Sequence, residues 1–203
     1  MKTSLLILIA SVASAQALDL TPIEARASGE GGQYTYLEFR DGRSKVSYMP
    51  PKTWDYQGAA SSLRLVDRDV SSAEADITVR PMKEALQLDE ASLKSFEEIA
   101  RQNLPQGAIK VETESTIISP LEIDGHKTIE VVMCYNFFGQ TIKASSLFTI
   151  RECAPVRFRV DAQPSSTAAR DATLLIFRTT APLGEFERMR KIFHSSLNTM
   201  AGL

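Results

Sequence analysis

Apolar and polar residues alternate with a period of two along most of this 203-residue chain, with turn residues between the alternating stretches. Successive side chains of a β-strand point to opposite faces, so this period predicts strands with one buried face. The first example is Tyr34–Arg40, followed by the turn Asp41–Gly42–Arg43 and a short strand over Lys45–Met49. This stretch predicts a β-hairpin. An antiparallel sheet is therefore the main element that this chain can form.

A second hairpin is predicted over Lys127–Phe137 and Thr141–Ile150, joined by Phe138–Gly139–Gln140. If Phe137 lies opposite Thr141, Cys134 faces Ala144. Four further strands are predicted over Ser62–Val66, Ala75–Arg80, Ile109–Ile118 and Val156–Ala162. A fifth is predicted over Thr173–Thr180, where a nearly continuous apolar run is typical of a strand covered on both faces.

Two amphipathic helices interrupt the strands. Asp89 is a good N-cap residue, and Leu93, Phe96 and Ile99 follow it at the spacing of one helix face. The second helix is predicted over Glu185–Met200. Runs of strands with two separate helices indicate the α+β class, in which helices pack on a central antiparallel sheet.

Two stretches are similar to the Mog1/PsbP-like superfamily, which includes small bacterial envelope proteins of the DcrB type. They are YMPPKTW at 48–54, after the first hairpin, and TLLIFRTTAPLGEFERMRKIFHSSLNTM at 173–200. In the second stretch Phe186, Phe193 and Leu197 match the apolar pattern of the closing helix. The resemblance covers Tyr34 to Met200 and implies an α/β/α sandwich. Members of this superfamily mostly bind or assemble other proteins and share no active site, so no catalytic residues are implied.

The first seventeen residues predict a cleaved secretory signal peptide. Lys2 precedes the apolar run Leu5–Ala10, and Ala13–Ser14–Ala15 has the small residues that a signal peptidase requires. The run is much shorter than the roughly 20 residues of a membrane-spanning helix, so we expect no transmembrane segment in the mature protein. We expect a periplasmic or secreted protein with a flexible, glycine-rich leader over 18–33 and one domain over 34–203.

The charge of the chain is nearly balanced, with 23 basic and 25 acidic residues. Nucleic-acid-binding proteins carry a strongly basic patch or stripe, and proteins that bind anionic lipid carry polybasic runs. Neither pattern is present in the sequence, so we expect no nucleic acid as a partner. The resemblance to the Mog1/PsbP-like superfamily implies another envelope protein as the partner.

Two cysteines, Cys134 and Cys153, are candidates for a disulfide because exported proteins fold in an oxidising compartment. In the hairpin register above, Cys153 lies beyond the end of the partner strand. A bond directly across the hairpin is then excluded, and the chain after Arg151 would have to fold back over the sheet. Two unlinked thiols are the alternative.

Two histidines, His126 and His194, limit the chemistry that the chain can perform. His126 follows Glu122 and Asp124 closely, but a zinc site needs three or four convergent ligands, and a solvated turn explains the same residues. His194 adjoins Ser195, yet neighbours on a helix point about 100° apart, which predicts a helix-surface residue. We expect no catalytic residue, no metal, no cofactor and no enzyme activity.

Three arginines and one tryptophan are the candidate binding residues. Arg157 and Arg159 share a strand face that Arg178 could join, and such a face could bind a carboxylate or a phosphate. An exposed face paired with acidic neighbours is the alternative. Trp54 could stack on a ligand or a partner, or it could be a hydrophobic anchor of the fold.

The sequence thus predicts an exported, non-catalytic protein-binding or assembly module of the bacterial cell envelope. The alternative is a small-ligand-binding protein with a pocket between sheet and helix. An exposed apolar patch would favour the first function, and an enclosed, mostly apolar cavity would favour the second.

Overall fold

The computed structural model describes residues 18–29, 32–42, 44–82, 86–152 and 172–203. Within these ranges ten strands and two α-helices are formed, and every strand pairing is antiparallel. The strands are β1 Asp19–Gly29, β2 Gly32–Asp41, β3 Ser44–Tyr48, β4 Trp54–Ala59, β5 Ser62–Asp67, β6 Glu74–Pro81, β7 Ile109–Ile123, β8 His126–Phe137, β9 Gln140–Glu152 and β10 Ala172–Pro182. The helices are α1 Leu93–Gln102 and α2 Phe186–Leu197.

The ten strands form two sheets. One has three strands in the order β1-β2-β3, and the other has seven in the order β4-β5-β6-β10-β9-β8-β7. Strand β10 lies between β6 and β9, so it is an interior strand of the large sheet. Its residues Leu174–Phe177 are all buried, which explains why this stretch is continuously apolar rather than alternating.

Each face of the large sheet has its own hydrophobic core. On one face Phe177 belongs to a core shared with Phe39 of the small sheet and Phe193 of α2. On the other face Phe148 packs against Phe96 of α1, with ring centroids 5.2 Å apart. The two cores together hold both helices on the large sheet.

The predicted N-cap Asp89 caps a 3-10 turn that precedes α1, not α1 itself. The side chain of Asp89 accepts a hydrogen bond from the backbone N–H of Ser92 at 3.0 Å, and a single 3-10 turn leads into α1. This contact satisfies one of the N–H groups that a helix start leaves unpaired. The second helix ends at Leu197, three residues before its predicted end at Met200.

The predicted α/β/α sandwich around one central sheet is wrong, although the antiparallel pairing is as expected. The structure is mainly β, because the strands are divided between two sheets and the two described helices have only 10 and 12 residues. The resemblance implied helix layers that these short helices do not supply.

The predicted leader over 18–33 also differs from the structure, because β1 pairs with β2 from Asp19 opposite Arg40 to Gly29 opposite Gly32. Leu20 is fully buried in the core, and this anchor together with the pairing orders a segment that is otherwise largely exposed. A segment with so few buried positions shows little hydrophobic periodicity, so its sequence did not indicate a strand.

The second hairpin differs from its prediction by one residue. Phe137 lies opposite Gln140, so Cys134 faces Lys143 rather than Ala144. The turn contains two residues, Phe138 and Gly139, with φ of 47° and 80°. A shift of one residue exchanges the partners along the whole hairpin.

The predicted signal peptide at 1–17 and the predicted strand Val156–Ala162 lie outside the described residues. In the part of the chain that is described, no helix combines the length and hydrophobicity needed to cross a membrane.

Candidate functional site

The turn between β8 and β9 projects an aromatic ring into solvent. Phe138 is 91% exposed and packs edge-on against Phe137, with ring centroids 4.5 Å apart. Ile109 at the start of β7 and Leu183 just after β10 lie at the same end of the sheet and are 60% and 53% exposed. Ile109 pairs with the residue before Phe137, and the N–H of Leu183 donates to the second residue of β9. We call Phe137, Phe138, Ile109 and Leu183 the hairpin tip.

The backbone of Phe138 is unusual for its residue type. Its φ of 47° lies in the left-handed region, where a side chain costs roughly 1–2 kcal/mol and where glycine and asparagine are favoured. An Asn-Gly pair would suit this two-residue turn better than Phe138–Gly139. A large apolar side chain therefore occupies a strained and exposed position, where it helps neither the turn nor the core.

A groove of about 460 Å³ extends from the hairpin tip across the large sheet. We call it the tip groove. Phe137, Ile142 and Pro105 form its apolar part, whereas Arg64 and Glu74 lie on the side of β5 and β6. Tyr135 and Arg178 also line it. Burial raises the pKa of Tyr135 to about 12, so its hydroxyl remains protonated at neutral pH.

Arg178, a predicted binding residue, is held in an ion pair in the sheet. Its Nε and Nη2 donate to Oδ2 of Asp76 at 2.8 and 2.7 Å, and its Nη1 donates to the backbone carbonyl of Asn103. Burial raises the pKa of Asp76, and Arg178 acts in the opposite direction. Arg157 and Arg159 lie outside the described residues, so the predicted three-arginine face stays a prediction.

Trp54 lies in the hydrophobic core rather than at the surface. Its ring stacks on Phe193 of α2, with centroids 6.2 Å apart and planes within 5° of parallel. The indole N–H is buried and has no hydrogen-bond partner among the described residues. Trp54 therefore has the position expected of a hydrophobic anchor of the fold, not of a residue that stacks on a ligand.

The residues around His126 form a turn. Asp124 and Gly125 have φ of 51° and 77°, and Ile123 pairs with His126 across them. Oδ2 of Asp124 accepts hydrogen bonds from the N–H groups of Gly202 and Leu203 at 2.8 and 2.7 Å. This carboxylate therefore fastens residues 202 and 203, and no cluster of three metal-ligating side chains occurs in the described ranges.

Cys134 is half-buried, and burial raises the pKa of its thiol. Cys153 lies outside the described residues, so a disulfide between the two cysteines stays a prediction.

A buried charged cluster, which the sequence patterns did not predict, lies beneath α2. Glu130 of β8 is 2% exposed and accepts hydrogen bonds from Nε and Nη2 of Arg190, both at 2.7 Å, and from the hydroxyl of Ser145 at 2.6 Å. His194 lies one helical turn after Arg190, with its Nε2 3.9 Å from Glu130. The prediction that His194 is a surface residue is wrong, because only 18% of its side chain is exposed.

Two sequence signals could have indicated this cluster. Glu130 is a charged residue inside the apolar run 129–135, and Arg190 and His194 share one helix face at a spacing of four. Arg190 and Ser145 satisfy the buried carboxylate of Glu130, so the cluster holds α2 on the sheet.

The chain matches no family model and no curated protein in sequence. Its structure is similar to that of LpqN from Mycobacterium tuberculosis, a protein described as involved in cell envelope biogenesis. The TM-score is 0.51 at 11% identity, and the match covers 89% of this chain and 90% of LpqN. LpqN shares this fold. A structure from Bacteroides thetaiotaomicron VPI-5482 matches 78% of this chain and 45% of its own chain, with a TM-score of 0.41 and 12% identity.

The TM-score of 0.51 shows a common fold, and an identity of 11% leaves the activity of this chain open. Membership of the Mog1/PsbP-like superfamily is not confirmed by these comparisons.

Proposed function

We propose that this chain is a non-catalytic protein-binding or assembly module of the bacterial cell envelope that contacts its partner through the hairpin tip. Phe138 is the main support for the proposal. Its ring is 91% exposed and its backbone is strained, and neither feature stabilises the isolated fold. Strained residues persist where they serve a function, and a partner that buries this ring would offset the cost.

The cell envelope is the proposed compartment for two reasons. The first seventeen residues have the pattern of a secretory signal peptide. The fold is shared with LpqN, whose description places it in envelope biogenesis.

The shape of the hairpin tip favours a protein over a small molecule. Small-molecule sites are concave and enclose most of their ligand. Phe138, Ile109 and Leu183 instead project from one end of the sheet. Exposed aromatic and aliphatic side chains with a polar margin are typical of protein interfaces. Arg64 and Glu74, which form an ion pair on the far side of the tip groove, would provide part of that margin.

The substitution Phe138→Asn tests this function without weakening the fold, because asparagine tolerates the left-handed backbone. Immobilised wild-type protein and F138N would be exposed to the envelope fraction of the source cells. Any protein that the wild type retains would then be purified, and its dissociation constant would be measured with both proteins. Losing the burial of a phenylalanine side chain should weaken binding by about 10- to 100-fold.

The matched control is Ile118→Asn, which removes another exposed apolar side chain from the edge strand β7. I118N should bind the partner within about twofold of the wild type, because a residue outside an interface contributes little to affinity. The proposal is overturned if the purified partner binds F138N as tightly as the wild type. It is also overturned if a small molecule co-purifies and no protein is retained.

A further inference from the structure

A second candidate site lies between the end of α1 and the strands β6 and β10, where the structure contains a cavity of about 110 Å³. We call it the seam cavity. Its lining consists of Asp76, Thr78, Arg80, Asn103, Ile176 and Arg178.

The side-chain amide of Asn103 leaves one hydrogen-bonding group unsatisfied. Its Oδ1 accepts a hydrogen bond from Nη2 of Arg80 at 2.5 Å, which fixes the orientation of the amide. Its Nδ2 is buried and has no acceptor among the described residues. A buried donor without an acceptor destabilises the fold, so an acceptor brought by a ligand or by water would stabilise this arrangement.

The charges around the seam cavity leave one cation unbalanced. Arg178 donates to Asp76 and to the carbonyl of Asn103, so its charge is compensated by a carboxylate. Arg80 forms no ion pair with any described residue. Arg80 is exposed to solvent and has no carboxylate partner among the described residues, and Nδ2 of Asn103 is a buried donor. Together they match a group that has a single negative charge and only acceptor atoms.

An apolar groove of about 410 Å³ continues from the seam cavity, and Arg80 lines both. Leu174 lines the groove and Ile176 lines the cavity, and these alternate residues lie on the same face of β10. Met82, Leu86 and Ile99 also line the groove. A polar cavity for one small group thus opens directly onto an apolar surface.

We propose that the seam cavity binds the carboxylate of a small amphipathic ligand whose apolar part occupies the adjoining groove. The carboxylate accepts hydrogen bonds from Nδ2 of Asn103 and from the guanidinium of Arg80, the type of charge-assisted contact that arginine favours. A carboxylate fits in a cavity of this size, and the rest of the ligand must lie outside it. An aliphatic acid and the carboxyl end of a peptide share this chemistry. The site is separate from the hairpin tip and does not rest on the function proposed there.

Calorimetric titration of the protein with hexanoate and with uncharged hexanamide tests the proposal. N-acetyl-leucine and its amide provide a second pair with a peptide-like end. Within each pair the acid should bind about tenfold more tightly, because a hydrogen bond to a charged acceptor is stronger than one to a neutral amide. Tighter binding of N-acetyl-leucine than of hexanoate would assign the site to peptide ends, and the reverse order would assign it to aliphatic acids.

Arg80→Gln should weaken the binding of the preferred acid about tenfold and leave the binding of its amide unchanged. Arg68→Gln is the matched control, because Arg68 is an exposed arginine just after the neighbouring strand β5 and does not line the seam cavity. The proposal fails if acid and amide bind equally, if R68Q and R80Q have equal effects, or if no probe binds. In the last case water alone satisfies Asn103.

Discussion

The ion pair beneath α2 allows a quantitative test of how that helix is held. Glu130 is 2% exposed, and Arg190 donates to both of its carboxylate oxygens at 2.7 Å. The hydroxyl of Ser145 donates to the same carboxylate at 2.6 Å. Substituting Arg190→Met keeps much of the apolar chain and removes both charged donors. The variant therefore leaves a buried carboxylate with one neutral donor and a nearby histidine.

We expect R190M to lower the free energy of unfolding by about 3 kcal/mol, the lower end of the range for breaking one side of a buried ion pair. The lower end applies because Ser145 still donates and 30% of the Arg190 side chain is exposed. Glu130→Gln should lower the free energy of unfolding by only about 1 kcal/mol. The Arg190 side chain reaches solvent, and water hydrates its unpaired charge at little energetic cost. The substitution of the more exposed partner is thus expected to be the more damaging one.

Urea unfolding followed by tryptophan fluorescence measures both effects. Trp54 is the single tryptophan of the chain and stacks on Phe193 in the same helix as Arg190, so its emission should report the loss of α2 packing. Linear extrapolation gives the free energy of unfolding if the transition is two-state. The reasoning is refuted if R190M costs no more than E130Q, or if it costs less than about 1 kcal/mol.

Three further predictions concern stability. Burial lowers the pKa of His194 below its ordinary value of 6.5, so the unfolded chain binds more protons just below that pH. The free energy of unfolding should therefore fall as the pH drops through about 6.5, and His194→Gln should flatten this decline in urea titrations at several pH values. A decline of unchanged slope in H194Q would contradict the assignment. Gly58→Ala should cost about 1–3 kcal/mol in the same urea assay, because a Cβ there would lie 2.5 Å from the carbonyl oxygen of Leu20. An unchanged midpoint would show that β1 is not packed this closely. Phe138→Asn should raise the thermal midpoint by relieving about 1 kcal/mol of backbone strain, and a lower midpoint would show that the turn is not strained.

Features set by neighbouring residues could be predicted from the sequence. The hairpin of β2 and β3, where Asp41 pairs with Ser44, follows from turn residues between two alternating stretches. The start of the 3-10 turn that leads into α1 follows from Asp89, whose side chain accepts a hydrogen bond from a backbone N–H only three residues later. In both cases the interacting groups are so close along the chain that the sequence itself places them together.

The candidate sites were predicted less well, because their defining features are not local. Phe138 was placed in the correct turn, but nothing in a phenylalanine indicates a left-handed backbone, so the turn was predicted one residue too long. Arg178 was selected as a binding residue, but its contact with Asn103 depends on how α1 lies over β10. Residues from separate elements form both the hairpin tip and the seam cavity, so neither site can be recognised from one stretch of sequence.

The sequence by itself determined that this chain forms antiparallel strands, where several of their turns lie, and which face of each clearly alternating strand is apolar. The tertiary structure alone decided that β1 joins a second sheet and that β10 lies between β6 and β9. It also decided that Arg190 neutralises Glu130 across 60 residues and that Arg178 pairs with Asp76 across 102. A period of two records only which side of a strand is buried. The choice of partner strand depends on packing between distant segments, and no single stretch of sequence contains that information.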